Sequence, residues 1–135
     1  MSEPTFISTQ VTGARYFYLN LNPPPEAALS VVCGGCEQSL PGYRIARQDF
    51  RFHSVEFVAG GRGTITFDTG ATPLSQGMLF TYGPHVPHEI QSDPEAPLLK
   101  YFIDFTGSGS AELLDSVGLS PGSITRTTAP QHIGD

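Results

Sequence analysis

The segment YGPHVPHEI, Tyr82 to Ile90, sets His85 and His88 three positions apart between prolines. Two imidazoles so close could belong to a transition-metal centre. One imidazole alone cannot hold a divalent ion against water, so such a centre needs three or four donors turned toward one point. The chain has four histidines in all, and the rest of any donor set must come from elsewhere. A second candidate is Cys33-Gly34-Gly35-Cys36. A Cys-x-x-Cys pair is half of a zinc site or a redox couple. With no second cysteine pair, only His53, His85 and His132 could complete a zinc site. No helix follows the motif to depress a thiol pKa. Structural thiols at a Gly-Gly turn are the leading reading; transient disulfide formation or metal capture is the other.

The elements that must position these groups are short and extended. ARYFYLNL (Ala14 to Leu21) alternates and stops at the triple proline Pro23 to Pro25, which neither a helix nor a strand interior tolerates. ALSVVC, YRIARQDF, HSVEFVA, TITFD, MLFTY, HEIQS and LLKYFIDF follow, separated by Gly34-Gly35, GGRG, TGATP and similar turn signals. About eight strands at roughly ten-residue spacing predict an all-β sandwich or barrel. One helix is predicted over Ser110–Leu119, with Ser110 as N-cap, Leu113, Leu114 and Val117 on one face and Gly118 as the stop. The tail SPGSITRTTAPQHIGD shows no core face. Its last residues read like the first turn of a further helix, so a fragment of a longer polypeptide is expected, with a frayed natural terminus as the alternative.

The 135 residues suit one domain with a real core. Charged residues make up 15% of the chain, below the ordinary ~25%, and fifteen glycines and twelve prolines favour sheets and turns. Seven scattered Lys and Arg against a net charge of −6 exclude a phosphate-backbone grip by this segment. No apolar run approaches the ~18 residues of a membrane span. The N-terminus lacks a basic start and apolar stretch, so a cytoplasmic protein without membrane contact is the expectation.

EFVAGGRG followed by GMLFTYGPHVPH resembles the two cupin motifs: a strand entering a Gly-x-Gly turn, then a glycine with a histidine eleven residues later. GYRIARQDFRFHSVEFVAGGRG and PLLKYFIDFTGSGSAELLDSVGL narrow the resemblance to the N-terminal effector-binding domain of AraC/XylS-type transcription regulators, over about Val31 to Leu119. The resemblance implies a double-stranded β-helix, the cupin jelly roll, with a short C-terminal helix. Residues 1–135 would form one effector-binding domain, 1–13 a flexible arm able to close over the pocket, and 110–135 the start of a truncated helical segment. It also implies a homodimer that reaches DNA only through a missing C-terminal helix-turn-helix domain.

Metal-dependent cupins use a His-x-His, a glutamate and the final histidine of the second motif. Aligned on FVAGGRG, Ser54 stands at the glutamate and QDFR offers no histidine, so His88 alone keeps a ligand position and His85 occupies a turn position usually taken by glycine. No metal, no cofactor and no catalysis are expected. Strand alternation turns Glu56 and Val58 inward with Ser54, and His53, Val55 and Phe57 outward. The resemblance places Arg47, His88, Ile90, Lys100 and Phe102 around the effector pocket, leaving Tyr101, Ile103 and Phe105 outside. Charges from Arg47, Glu56 and Lys100 inside one barrel need pairing or a bound polar molecule. A small polar effector, a sugar or an organic acid, is expected, although Ile90 departs from the sugar-binding pattern. For Arg47 and Glu56 a structural ion pair is the alternative. At the level of function, a metal-dependent isomerase or dioxygenase and a stand-alone cupin-like binding protein are the rivals.

Overall fold

The computed structural model describes residues 10–23 and 26–127. The arm expected over 1–13 lies outside them except for its last four residues, as do His132 and the helical start expected at PQHIGD. The described residues form ten strands and one helix: β1 Val11–Tyr18, β2 Ser30–Ser39, β3 Arg44–Arg47, β4 His53–Gly60, β5 Gly63–Phe67, β6 Gly70–Leu74, β7 Met78–Tyr82, β8 His88–Ser92, β9 Leu99–Thr106, α1 Ser110–Ser116 and β10 Ile124–Arg126. Six strands form one sheet in the order β1-β2-β9-β4-β7-β10, and four form the other in the order β3-β8-β5-β6. All pairings are antiparallel, and the chain is the all-β jelly roll that the motifs implied.

The core lies between the sheets, where every second residue of each strand turns inward. Val58, Ile65, Phe80, Ile90 and Leu98 are wholly buried there. Each such side chain contributes about 1.5–3 kcal/mol by leaving water. Across the inner face of the larger sheet the register lines up three rows. Glu37, Lys100 and Val58 form one; Gly35, Phe102, Glu56, Phe80 and Ile124 form the next; Cys33, Asp104, Ser54 and Tyr82 form the third.

Several elements differ from the sequence reading. Gly34-Gly35 is not a turn: β2 runs straight through it, because a side chain there would strike β1. A Cβ on Gly34 would meet the Phe17 ring at 2.6 Å, and one on Gly35 would meet the Arg15 carbonyl oxygen at 2.2 Å. The glycines allow close strand approach rather than a reversal. TGATP is not only a separator, since Gly70–Leu74 pairs with β5 and tolerates Pro73 at a sheet edge. Nor does the tail lack a core contact. Ile124–Arg126 pairs with β7 and Ile124 packs on the core. The helix is shorter than expected, with Gly109 rather than Ser110 at its N-cap. Of its three apolar residues only Leu114 is buried, and Leu113 and Val117 are exposed. Gly118, in the left-handed region at φ 76°, does end it as expected.

Candidate functional site

Most of the charged side chains inside the barrel form one connected spine. Lys100 from β9 is 1% exposed, and its Nζ donates to Glu56 Oε1 at 2.6 Å and to the Tyr43 hydroxyl at 3.0 Å. Glu37 Oε1 lies 3.8 Å from the same ammonium, and Glu37 Oε2 accepts from the Tyr16 hydroxyl at 2.8 Å. The other oxygen of Glu56 accepts from the Tyr82 hydroxyl. Tyr82 Oη in turn accepts from Arg47 Nη1 at 3.3 Å, and the same nitrogen lies 3.2 Å from His88 Nε2. Arginine can only donate, so Nε2 is the acceptor and the ring proton sits on Nδ1, which donates to the Val86 carbonyl at 3.1 Å. The His88 ring stacks on Tyr82 with centroids 3.9 Å apart.

The electrostatics follow from this wiring. Burial alone would raise the Glu56 carboxyl, but the Lys100 charge, the two hydrogen bonds and Arg47 hold it below its ordinary value. Burial likewise opposes the charge on Lys100, and Glu56 more than restores it, so its pKa is raised. Glu37 is raised, because burial outweighs the attraction of the more distant Lys100. For His88, burial and the neighbouring Arg47 lower the pKa and keep the imidazole neutral at neutral pH.

The sequence-derived site residues thus come together only in part. Arg47, Glu56, His88 and Lys100 belong to the spine. Glu56 pairs with Lys100 rather than with Arg47, the pairing the sequence had offered as the structural alternative. Phe102 stands beside Glu56 and Gly35 in the middle row, half-buried, with its edge toward Tyr16 at 6.0 Å. Ile90 is in the apolar core between Ile45 and Ile65. Outside the barrel, Tyr101 is exposed, and Phe105 is buried against the stacked His53 ring. His85 adopts φ 67°, the conformation of the glycine it replaces, and its backbone N–H donates to Asp49 Oδ1 at 2.6 Å. Its side chain points to solvent. Among the described residues no three His, Cys, Asp or Glu side chains are placed to hold a metal ion.

Cys33 and Cys36 lie three positions apart in one extended strand, and their side chains leave it on opposite faces. At the ~10 Å separation this imposes they cannot form a disulfide or share an ion, since a bridge needs Cα atoms within about 7 Å. Burial pushes the Cys33 thiol up to about 12, helped by the negative charge of Asp104.

Sequence reasoning missed Glu37, Tyr43, Tyr82 and Asp104. Parity was the usable signal for Asp104, two residues beyond Phe102 on the strand that carries Lys100. Asp104 is 2% exposed, and burial pushes its carboxyl up to about 7. The Cys33 thiol donates weakly to Oδ2 at 3.5 Å. Oδ1 and the opposing Ser54 hydroxyl complete no well-formed hydrogen bond, though the hydroxyl is near enough to temper that rise.

The AraC-like ligand binding domain family model matches residues 31–133. No curated protein matches the sequence. Among solved structures, YhaK from Escherichia coli is similar at TM-score 0.62 and 13% identity, over 88% of this chain and 53% of that one. The present chain therefore spans about half the length of YhaK. A Cupin 2 conserved barrel domain protein from Salinispora arenicola CNS-205 gives 0.52 and 14%, over 77% and 84% of the two chains. Ectoine synthase from P. lautus gives 0.55 and 16%, over 91% and 84%. At these identities the likeness shows a shared cupin fold.

Proposed function

The chain belongs to the AraC-like ligand binding domain family, and on that premise we propose that it senses a small polar effector inside its barrel and passes the occupied state to a transcription regulator. The observation that carries this reading is the spine itself. An ordinary jelly-roll core is apolar, whereas this one contains Arg47, Lys100, Glu37, Glu56 and Asp104 between its sheets. Ionised groups so placed are a burden on folding unless they serve recognition.

Within this reading Arg47 is the effector contact, suited to a carboxylate or vicinal hydroxyls by its planar fork. His88 presents its neutral ring beside it, and Phe102 supplies an apolar wall. Lys100 and Glu56 already satisfy each other, so they act by fixing Tyr82 and, through it, Arg47. The homodimer, the DNA-binding domain on the same polypeptide and the cytoplasmic setting complete the proposal as properties of the full regulator.

A thermal-shift screen of sugars, organic acids and amino acids tests it. A ligand at a hundred times its Kd stabilises by about 2.7 kcal/mol, which is roughly 10 °C for a domain of this size. The shift should vanish in Arg47→Ala. A hit that stabilises that variant equally well refutes the site. Metal analysis addresses the enzyme alternative: stoichiometric iron, manganese, nickel or zinc, lost in His88→Ala, would replace this reading with a metal-dependent one.

A further inference from the structure

The three carboxyls inside the barrel are not equivalent. Glu56 and Glu37 both face Lys100, at 2.6 and 3.8 Å. Asp104 forms no ion pair among the described residues. Around it stand the Cys33 thiol from β2, the Ser54 hydroxyl and the Glu56 carboxylate from β4, Tyr82 from β7, and Arg47 from the opposite sheet. None of these offers it a close cation. Two neighbouring polar atoms there, Asp104 Oδ1 and Ser54 Oγ, are without a hydrogen-bond partner. Their residues are 2% and 0% exposed and sit directly opposite each other on β9 and β4, on the inward face.

The other unpartnered polar groups do not share this arrangement. Among the described residues Ser39 is at the far end of β2, His53 Nδ1 is on the outer face of the sheet, and Ser110 is at the start of α1. Native interiors satisfy the great majority of buried polar atoms. A buried carboxyl with a hydroxyl opposite it and no ion-pair partner among the described residues matches a donor that also carries positive charge.

We infer that Asp104 and Ser54 form a second recognition point in the barrel, one that takes the protonated amine of a small ligand whose opposite end faces Arg47. This rests on the effector-binding reading above and narrows its ligand class to amine-bearing molecules. Tyr82, whose hydroxyl meets Arg47, stands in the same row as Asp104 with Ser54 between them. Two strand spacings of ~4.8 Å separate the two ends of that row. A short ω-amino acid is of the length that would bridge such a row. An ammonium would supply the missing charge partner, and Asp104 would bind it in the ionised form. Binding should therefore strengthen as pH rises through 7, where the free carboxyl loses its proton.

Calorimetric titration of three matched series tests this: glycine, β-alanine and 4-aminobutyrate; the corresponding ω-hydroxy acids; and acetate, propionate and butyrate. One amino acid should bind at least about tenfold more tightly than its hydroxy and unsubstituted analogues, and more tightly at pH 8 than at pH 6. Asp104→Asn, close to isosteric, should abolish both the preference and the pH dependence, and Ser54→Ala should weaken the preference. Circular dichroism of each variant checks that it folds. Absence of an amine preference, or a preference that survives Asp104→Asn, overturns the inference. If sugars or acids bind with dependence on Arg47 but not on Asp104, only this inference falls. If no small polar molecule binds, the effector-binding reading falls with it.

Discussion

Replacing Lys100 with methionine removes the positive half of a fully buried pair while keeping its volume. Glu56 would then retain the Tyr82 hydrogen bond but lose the charge 2.6 Å away. Breaking a buried pair by deleting one partner costs about 3–5 kcal/mol, because the survivor is left uncompensated. In a domain of this size that corresponds to a melting temperature lower by roughly 10–20 °C. The pH dependence supplies the sharper signature. In the wild type the Glu56 pKa is depressed, so its contribution is present above the unfolded value and disappears as pH falls through the folded one. In Lys100→Met burial is opposed only by the Tyr82 hydrogen bond and by Arg47, and the pKa rises. Stability is then retained at low pH and lost as pH rises toward the new folded value. Urea denaturation should accordingly show a smaller loss at pH 5 than at pH 8. Adding Glu56→Gln keeps an acceptor for Tyr82 and places an amide near Tyr43, and should restore about 2 kcal/mol at pH 8. A loss below about 1 kcal/mol, or one independent of pH, would refute the assignment of Lys100 and Glu56 as the axis of the interior.

Three further outcomes follow from the same geometry. Asp104 is raised to about 7, so it favours the fold below its unfolded pKa and costs stability as pH climbs through 7; Asp104→Asn should be the more stable protein at pH 8, by at most about 4 kcal/mol, and an equal or lower urea midpoint there would contradict this. Thr81 Oγ1 donates to the Ser120 carbonyl at 2.8 Å and accepts from Ser123 N–H at 3.3 Å, so Thr81→Val should cost about 1–2 kcal/mol and speed hydrogen exchange of the β10 amides, with unchanged exchange counting against it. In native protein a thiol reagent at pH 8 should modify the half-buried Cys36 and spare Cys33 until unfolding; an intramolecular Cys33–Cys36 disulfide under mild oxidation would show that β2 is not the continuous strand described.

Much of the fold was legible because alternation is a local signal. Within HSVEFVA alternation ties Glu56 and Val58 to the face of Ser54 without reference to anything distant, and all three are indeed inward; Lys100, placed by the family resemblance, is inward as well. The errors fall where a neighbouring strand decides. Gly34-Gly35 has the composition of a turn, and only the approach of β1 explains why it is strand. Ile124–Arg126 becomes a strand because β7 presents an edge to it. The site was legible as a list of charged residues but not as a set of pairings. Whether Glu56 meets Arg47 or Lys100 depends on which row each occupies, and register is a property of two strands at once.

That pairing changes what a ligand must do. Had Arg47, Glu56 and Lys100 been three separate charges, any polar molecule could have entered to neutralise them. Instead Lys100 and Glu56 satisfy each other, with Tyr43 and Tyr82 as hydrogen-bond partners, and an entering molecule that disturbed them would leave a buried charge behind. On the proposed reading, recognition is therefore confined to the row that contains Tyr82, Ser54 and Asp104 and to Arg47 and His88. A ligand lacking one of the matching groups leaves the barrel's own polar atoms unpaired. The penalty for that is larger than the gain from any single hydrogen bond. Selectivity in such a site comes from the internal pairs that refuse exchange as much as from the groups that accept it.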